Sequence, residues 1–204
     1  GLNPNKFRQL NNLIKSKRFI NNLVSNVSSM IIYSKNRKYN SIILNYNPNF
    51  ENLLEWYKQL VSESLGKKGK GILPIISNMP KDNHSTMQLY LDGFKNNFFT
   101  FFFLKDRESN KINNKELLDS HKFLKNKTIN KIMYSQKLAT ERVFLKKKIP
   151  FRSFDINKLD EKTLGELFCF FILETILIGK SLKVNPFDQP AVELIKEETK
   201  KLLI

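Results

Sequence analysis

Cysteine, histidine and glycine are scarce in this sequence of 204 residues. A single cysteine, Cys169, excludes a disulfide within the chain; it lies in the apolar run Leu-Phe-Cys-Phe-Phe, where we expect a buried, unreactive side chain and a reducing, cytoplasmic setting. The two histidines, His84 and His121, have no cluster of cysteines or carboxylates beside them, which argues against a zinc site. The glycines between residues 66 and 71 match no nucleotide-binding fingerprint.

Long hydrophobic runs are also missing. The most apolar stretch, residues 167–179, is interrupted by Glu174 and is shorter than the about 20 helical residues that cross a bilayer, so we expect a buried core helix and no membrane partner. The first residues, Gly-Leu-Asn-Pro, lack both an initiator Met and the order of charged, apolar and small residues of a signal peptide. We therefore expect a trimmed chain or a piece of a longer one.

Positive charge dominates, with 35 Lys and Arg against 19 Asp and Glu and a formal net charge of +16. Such a balance raises nucleic-acid binding as a possible function. The lysines, however, are spread along the chain beside Asn and Ile, and the richest cluster is only residues 146–148. The same positive field suits an anionic small substrate, so we expect no nucleic-acid partner and keep nucleic-acid binding as an alternative.

Strand and helix patterns alternate along the chain. Continuous apolar runs at residues 41–44, 71–76 and 98–104, with a possible fourth at 151–156, are typical of strands buried on both faces of a parallel sheet. Helical spacing of apolar residues predicts helices over 53–64, 115–141, 163–179 and 188–203, the third of them ending at Gly179. The pattern predicts an α/β fold with a mainly parallel sheet, in which ligands bind beyond the carboxyl ends of the strands.

Two polar side chains stand out in the first half of the chain. Glu63 lies off the apolar stripe, near the end of a helix that Gly66 can terminate, and a surface ion pair with Lys67 is the simplest interpretation. His84 follows a turn built from Pro80 and residues 82–83, which predicts a position in the first turn of the next helix. A plain surface histidine is the alternative.

The C-terminal segment carries a third group. Asp188 is a good helix N-cap and Pro190 fits the first turn of a helix. Gln189, Glu193 and Lys196 then follow at helical spacing and form one polar row beside an apolar face. Such a row is either solvated or directed into a cleft.

Taken together and in this order, these segments resemble the glucose-6-phosphate isomerase family over essentially the whole chain. Residues 63–67, Glu-Ser-Leu-Gly-Lys, resemble its glutamate element, and residues 83–93 its histidine element. The most specific match is Asn-Pro-Phe-Asp-Gln at 185–189, followed by Val192, Glu193 and Lys196. Departures occur at Leu65 and at Pro190, Ala191 and Ile195, none of which is a proposed catalytic position.

The resemblance implies a sugar-isomerase-type three-layer sandwich plus C-terminal helices. It implies interconversion of glucose 6-phosphate and fructose 6-phosphate, with Glu63 moving a proton between C2 and C1 through a cis-enediol and His84 and Lys196 opening the ring. Gln189 would contact the substrate, and no metal or organic cofactor is implied. From spacing alone, we expect Glu193 to orient Lys196.

The resemblance also implies a homodimer in which His84 serves the partner's site. Residues 1–150 would form the second sugar-isomerase subdomain and residues 151–204 a C-terminal helical segment of the same unit, with the N-terminal half that holds the phosphate loop and an arginine element absent. A sugar-phosphate-binding module without turnover remains an alternative to the enzyme.

Overall fold

Four strands, all parallel, form one sheet in a computed structural model that describes residues 3–105 and 109–204. The strands are β1 (Asn40–Asn45), β2 (Leu73–Asn78), β3 (Asn97–Leu104) and β4 (Phe151–Ile156). Their order in the sheet is β2-β1-β3-β4. Ile42 of β1 stands opposite Ile75 of β2 on one side and Phe99 of β3 on the other. The α/β class with a parallel sheet, including the fourth strand, is therefore confirmed.

Eight helices accompany the sheet in the part of the chain that the structure describes. Their bounds are α1 (Pro4–Phe7), α2 (Asn11–Ile14), α3 (Lys17–Lys35), α4 (Glu51–Leu65), α5 (Met87–Asp92), α6 (Ile129–Lys146), α7 (Glu161–Leu182) and α8 (Pro190–Leu202). No helix within residues 3–105 and 109–204 has both the length and the apolar composition needed to cross a membrane.

Helices cover both faces of the sheet, because alternate residues of each strand are buried on opposite sides. On one face Ile43, Phe98 and Phe102 pack in a core with α3, α4 and α7. On the other face Phe99 and Phe101 pack in a second core with α5 and α6. The result is the three-layer sandwich expected from the resemblance. Strand β4, which lies in the predicted C-terminal segment 151–204, belongs to this same sheet. The division of the chain at residue 150 stays a prediction.

The single long helix predicted over residues 115–141 is wrong in its first half. Short 3-10 turns occupy Asn114–Glu116 and Asp119–Leu124, and α6 begins only after Thr128, whose hydroxyl oxygen accepts from the Lys131 N–H at 3.2 Å. The Asn114 amide donates to Asn126 at 2.6 Å and accepts from the Asn126 N–H at 3.0 Å. These polar contacts fold the segment back on itself in place of a helix.

Helix α7 continues past the glycine at which it was predicted to end. It stops at Lys183, which adopts a left-handed conformation with φ 56°. Gly179 instead lies inside the helix, where a Cβ atom would come within 3.2 Å of Pro186 Cβ. Cys169 on the same helix is half-buried rather than buried, and the loss of hydration there raises the pKa of its thiol.

Candidate active site

Glu63 lies on the last turn of α4, which buries Leu53, Tyr57, Val61 and Leu65 and leaves Glu63 half-buried at its edge. One carboxylate oxygen, Oε1, accepts from Gln59 Nε2 at 2.9 Å, as expected for side chains four residues apart on a helix. This contact restricts the rotamer of Glu63 and leaves the second oxygen, Oε2, to accept from another part of the chain.

The second oxygen of Glu63 is held from the far end of the chain. Gln189 Nε2 donates to Glu63 Oε2 at 2.7 Å, across a separation of 126 residues in sequence. Two of the predicted site residues are thus in direct contact. Both donors are neutral amides, and no cation within residues 3–105 and 109–204 forms an ion pair with this carboxylate.

Lys67 does not pair with Glu63, so that interpretation of the four-residue spacing is wrong. Its ammonium donates to Ser64 O at 3.2 Å and to Asn185 O at 2.5 Å, and it forms an ion pair with Asp188 Oδ1 at 3.0 Å. The hydrogen bond from Lys67 lowers the pKa of Asp188 below its ordinary value, which keeps this carboxyl group ionised.

Asp188 is not the N-cap of α8, contrary to the sequence prediction. Gln189 occupies that position without a side-chain capping bond, because its amide is directed to Glu63. Asp188 is engaged by Lys67 on one oxygen and accepts from Asn185 Nδ2 at 2.9 Å on the other. The local sequence signal for a cap is overridden by contacts with α4.

Lys196 lies on an exposed face of α8, and its ammonium contacts Glu193 Oε1 at 2.6 Å. The contact expected from their spacing is therefore present. At about 1.5 Å of rise per residue, Lys196 lies roughly 10 Å along the helix axis from Gln189. None of the residues of α8 is buried, so this chain alone leaves Lys196 facing solvent.

His84 lies far from this group. It ends a 3-10 turn, Lys81–His84, and α5 starts only at Met87, so the predicted position in the first turn of a helix is wrong. Helix α4 crosses back between the parallel strands β1 and β2, so its last turn is at the amino edge of the sheet, whereas His84 follows β2 at the carboxyl edge. Six residues at about 3.3 Å each separate the two ends of β2 by roughly 17 Å.

The carboxyl edge of the sheet holds a cavity that the sequence did not reveal. It has a volume of about 780 Å³, and its lining includes Tyr46, Asn47 and Asn130. Asn47 follows β1 and is 2% exposed, and its amide nitrogen has no hydrogen-bond partner among the described residues. Neither Glu63 nor Gln189 lines this cavity, so the expected ligand position beyond the strands and the Glu63–Gln189 pair lie at opposite edges of the sheet.

The sequence analysis also did not predict the buried ion pair between Arg152 and Glu174. Arg152 of β4 forms a two-pronged contact with Glu174 of α7, and its guanidinium also donates to Thr100 Oγ1 and to Asn26 Oδ1, each at 3.1 Å. Glu174 is 1% exposed. This pair ties the middle of α7 to the sheet.

The fold and the contacts define a three-layer α/β protein in which a helix-end glutamate is held by a glutamine from a distant segment. The chain is similar to glucose-6-phosphate isomerases, which confirms the resemblance. It is 39% identical over 165 residues to that of Mycoplasmopsis pulmonis, covering 79% of this chain and 39% of the relative. It is 30% identical over 189 residues to that of Methanocaldococcus jannaschii, covering 92% and 45%.

The chain thus spans less than half the length of these curated relatives. No protein-family model matches it. Among solved structures, a hypothetical protein of Thermus thermophilus superposes with a TM-score of 0.86 at 23% identity, over 97% of this chain and 49% of that protein. A glucose-6-phosphate isomerase from Chlamydia trachomatis gives 0.66 at 15% identity, over 81% and 34%. At these identities the likeness shows a shared fold.

Proposed function

We propose that this chain is part of an aldose–ketose isomerase that interconverts glucose 6-phosphate and fructose 6-phosphate in the cytoplasm. The observation that carries the proposal is the contact between Glu63 and Gln189, at 2.7 Å. It joins the glutamate element to the C-terminal segment, which is the most specific match to the isomerase family, and the side-chain amides of Gln59 and Gln189 orient the carboxylate. Coverage of about two-fifths of the curated relatives supports a longer active protein, with the phosphate-binding loop outside this chain.

In the proposed reaction, His84 and Lys196 assist ring opening by giving a proton to the ring oxygen and removing one from the anomeric hydroxyl. Glu63 then takes the proton from C2 of the open aldose while O1 gains a proton, which gives the cis-enediol. Glu63 returns the proton to C1 as O2 loses its proton, which gives the ketose. Gln59 and Gln189 bind the two oxygens of Glu63, so the orientation of the base is already set before the proton transfer. The Lys196 ammonium stabilises negative charge on the enediol oxygens.

We further propose that the active protein is a homodimer and that His84 acts in the partner's site. This proposal is supported by the separation of roughly 17 Å between the ends of β2, which places His84 and Glu63 of one chain at opposite edges of the sheet. A two-fold axis lets the carboxyl edge of one chain face the amino edge of the other and makes two equivalent composite sites.

A substitution at Glu63 tests the function. In the full-length protein, Glu63→Gln keeps the shape of the side chain and removes the base, so a coupled isomerase assay should show a fall of about 10²- to 10⁴-fold in kcat. Glu55→Gln is the matched control, because Glu55 is an exposed carboxylate on the same helix, paired with Lys58. Wild-type turnover in Glu63→Gln would disprove the assignment of the base.

A sugar-phosphate-binding module without turnover is the second candidate. It is favoured by the exposure of Lys196, whose side chain is 65% exposed on this chain. The same assay separates the two candidates. A full-length wild-type protein that binds fructose 6-phosphate in calorimetry and shows no isomerisation would establish the binding module and exclude the enzyme.

A further inference from the structure

The Lys67 side chain connects the end of α4 to the segment that carries Gln189. Its ammonium reaches the Ser64 carbonyl at the end of α4 and, on the other side, the Asn185 carbonyl and the Asp188 carboxylate. An ammonium group has three protons to donate, so these three partners use its full capacity. The side chain is only 10% exposed, which places this polar contact inside the junction between the two segments.

The segment from 185 to 189 is seated from its other side by α7. Pro186 packs against Gly179, where a Cβ atom would lie 3.2 Å from Pro186 Cβ. Within the segment, the Phe187 N–H donates to Asn185 Oδ1 at 3.1 Å. The segment therefore sits between a glycine on α7 and an ammonium from the end of α4.

The position of Gln189 depends on this arrangement. Gln189 directly follows Asp188, and α8, which begins at the next residue, has no buried side chain that would fix it independently. Without the Lys67 contacts, the segment would keep Pro186 on Gly179 but lose the bonds at Asn185 and Asp188. Glu63 would then retain only the Gln59 amide.

We propose that Lys67 is a positioning residue that holds Gln189 against Glu63 by clamping the segment 185–188 to the end of α4. The proposal rests on the proposed isomerase function for its kinetic consequence. It assigns Lys67 no contact with the substrate. Since misplacing a reacting group by about 1 Å can cost a factor of about 100, removal of the clamp should lower kcat by about 10- to 100-fold, with a smaller change in KM.

The chain offers a matched control in the same loop. Lys70 also donates to a backbone carbonyl, Leu182 O at 2.7 Å, but this bond holds the end of α7 and not the segment 185–188. Lys67→Met and Lys70→Met therefore remove the same charge and a similar hydrogen bond, and only the first breaks the clamp. Asp188→Asn is a milder variant that removes the charge of one partner and keeps its size.

The experiment measures kcat and KM of the full-length variants and the amide hydrogen exchange of a peptide covering 185–189. We expect Lys67→Met to lower kcat at least about 10-fold and to speed exchange, Lys67→Arg to recover part of both, and Lys70→Met to change neither. Asp188→Asn should give an intermediate loss, and added to Lys67→Met it should cause little further loss because both act through one contact. If Lys67→Met does not fold, Asp188→Asn carries the test alone.

Normal kcat and normal exchange in Lys67→Met would overturn the proposal, and so would an equal loss of kcat in Lys70→Met. If the wild-type protein shows no isomerase activity, the proposed function fails, whereas the exchange of residues 185–189 still decides whether the clamp exists. Faster exchange with unchanged kcat would refute the positioning role and leave a structural contact.

Discussion

The opposite placement of Glu63 and His84 makes a test with two kinds of heterodimer possible. In the first, one subunit carries Glu63→Gln and the other His84→Ala. In the second, one subunit carries both substitutions and the other is wild type. Two affinity tags purify each heterodimer away from its homodimers, so the composition of each sample is defined before any assay.

The expected magnitudes follow from the geometry. A general acid or base must come within about 3.2 Å of the atom it serves, whereas Glu63 and His84 of one chain lie towards opposite ends of β2, which is roughly 17 Å long, so we expect the two residues not to share a site within one chain. If the sites are shared, the first heterodimer has one site with both residues intact and one site with neither. It should therefore show about half of the wild-type activity, whereas the second has one defect in each site and should be nearly inactive.

The assay is coupled isomerase turnover at saturating fructose 6-phosphate, normalised to dimer concentration. The two homodimeric single variants provide the background. The reverse pattern, with an inactive first heterodimer and about half of the activity in the second, would show that Glu63 and His84 act within one chain and would refute the argument from the sheet edges. Native mass spectrometry checks that subunits do not exchange during the measurement.

Two further predictions concern stability. Glu174→Gln leaves the largely buried Arg152 without its counterion, which should lower the free energy of unfolding by about 3 kcal/mol and Tm by several degrees in calorimetry. Glu198→Gln is the control, because Glu198 forms an exposed pair with Lys201 and its loss should have little effect. Equal Tm values for the two variants would contradict the reasoning. Burial raises the pKa of Tyr57 to about 12 against 10.0 in an unfolded chain, so the folded state keeps a proton that the unfolded state loses. Stability should therefore fall as the pH rises from 10.0 to about 12, by up to about 3 kcal/mol from this group, and denaturant titrations of Tyr57→Phe should show a correspondingly shallower loss.

The strands were predictable because their side chains are buried on both faces. In β3, every residue from Asn97 to Leu104 is buried, and such a run has few alternatives in an α/β chain. Helix α3 was not predicted from the sequence, because its apolar stripe is not clearly separated from its exposed face. Its buried residues Leu23, Val27 and Met30 do follow helical spacing, but exposed apolar residues such as Val24 and Ile32 blur the stripe.

The wrong helix over residues 115–128 has a related cause. Leu117, Leu118 and Leu124 suggested helical spacing, yet Leu118 is 68% exposed and the other two are only partly buried, so there is no core against which a helix could pack. The paired amides of Asn114 and Asn126 close the segment instead, and side-chain pairing of that kind has no periodic signature. Apolar spacing predicts a helix only where a partner surface exists to bury it.

The candidate site was also only partly predictable from the sequence. The proximity of Glu63 and Gln189 could not be derived from spacing, since it depends on where α7 ends and on the three acceptors that Lys67 finds. Only the family resemblance grouped these residues beforehand. The Lys67 contacts had no sequence signal beyond a four-residue spacing that favoured a different partner.

The separation of Glu63 from His84, by contrast, follows from the order of elements. A residue at the end of a crossover helix lies at the amino edge of a parallel sheet, and a residue just after the next strand lies at the carboxyl edge, whatever the side chains are. Glu63 and His84 occupy these two positions around β2. This placement is the reason for proposing that a reaction using both on one small molecule draws them from two copies of the chain, and it follows from the order of elements alone.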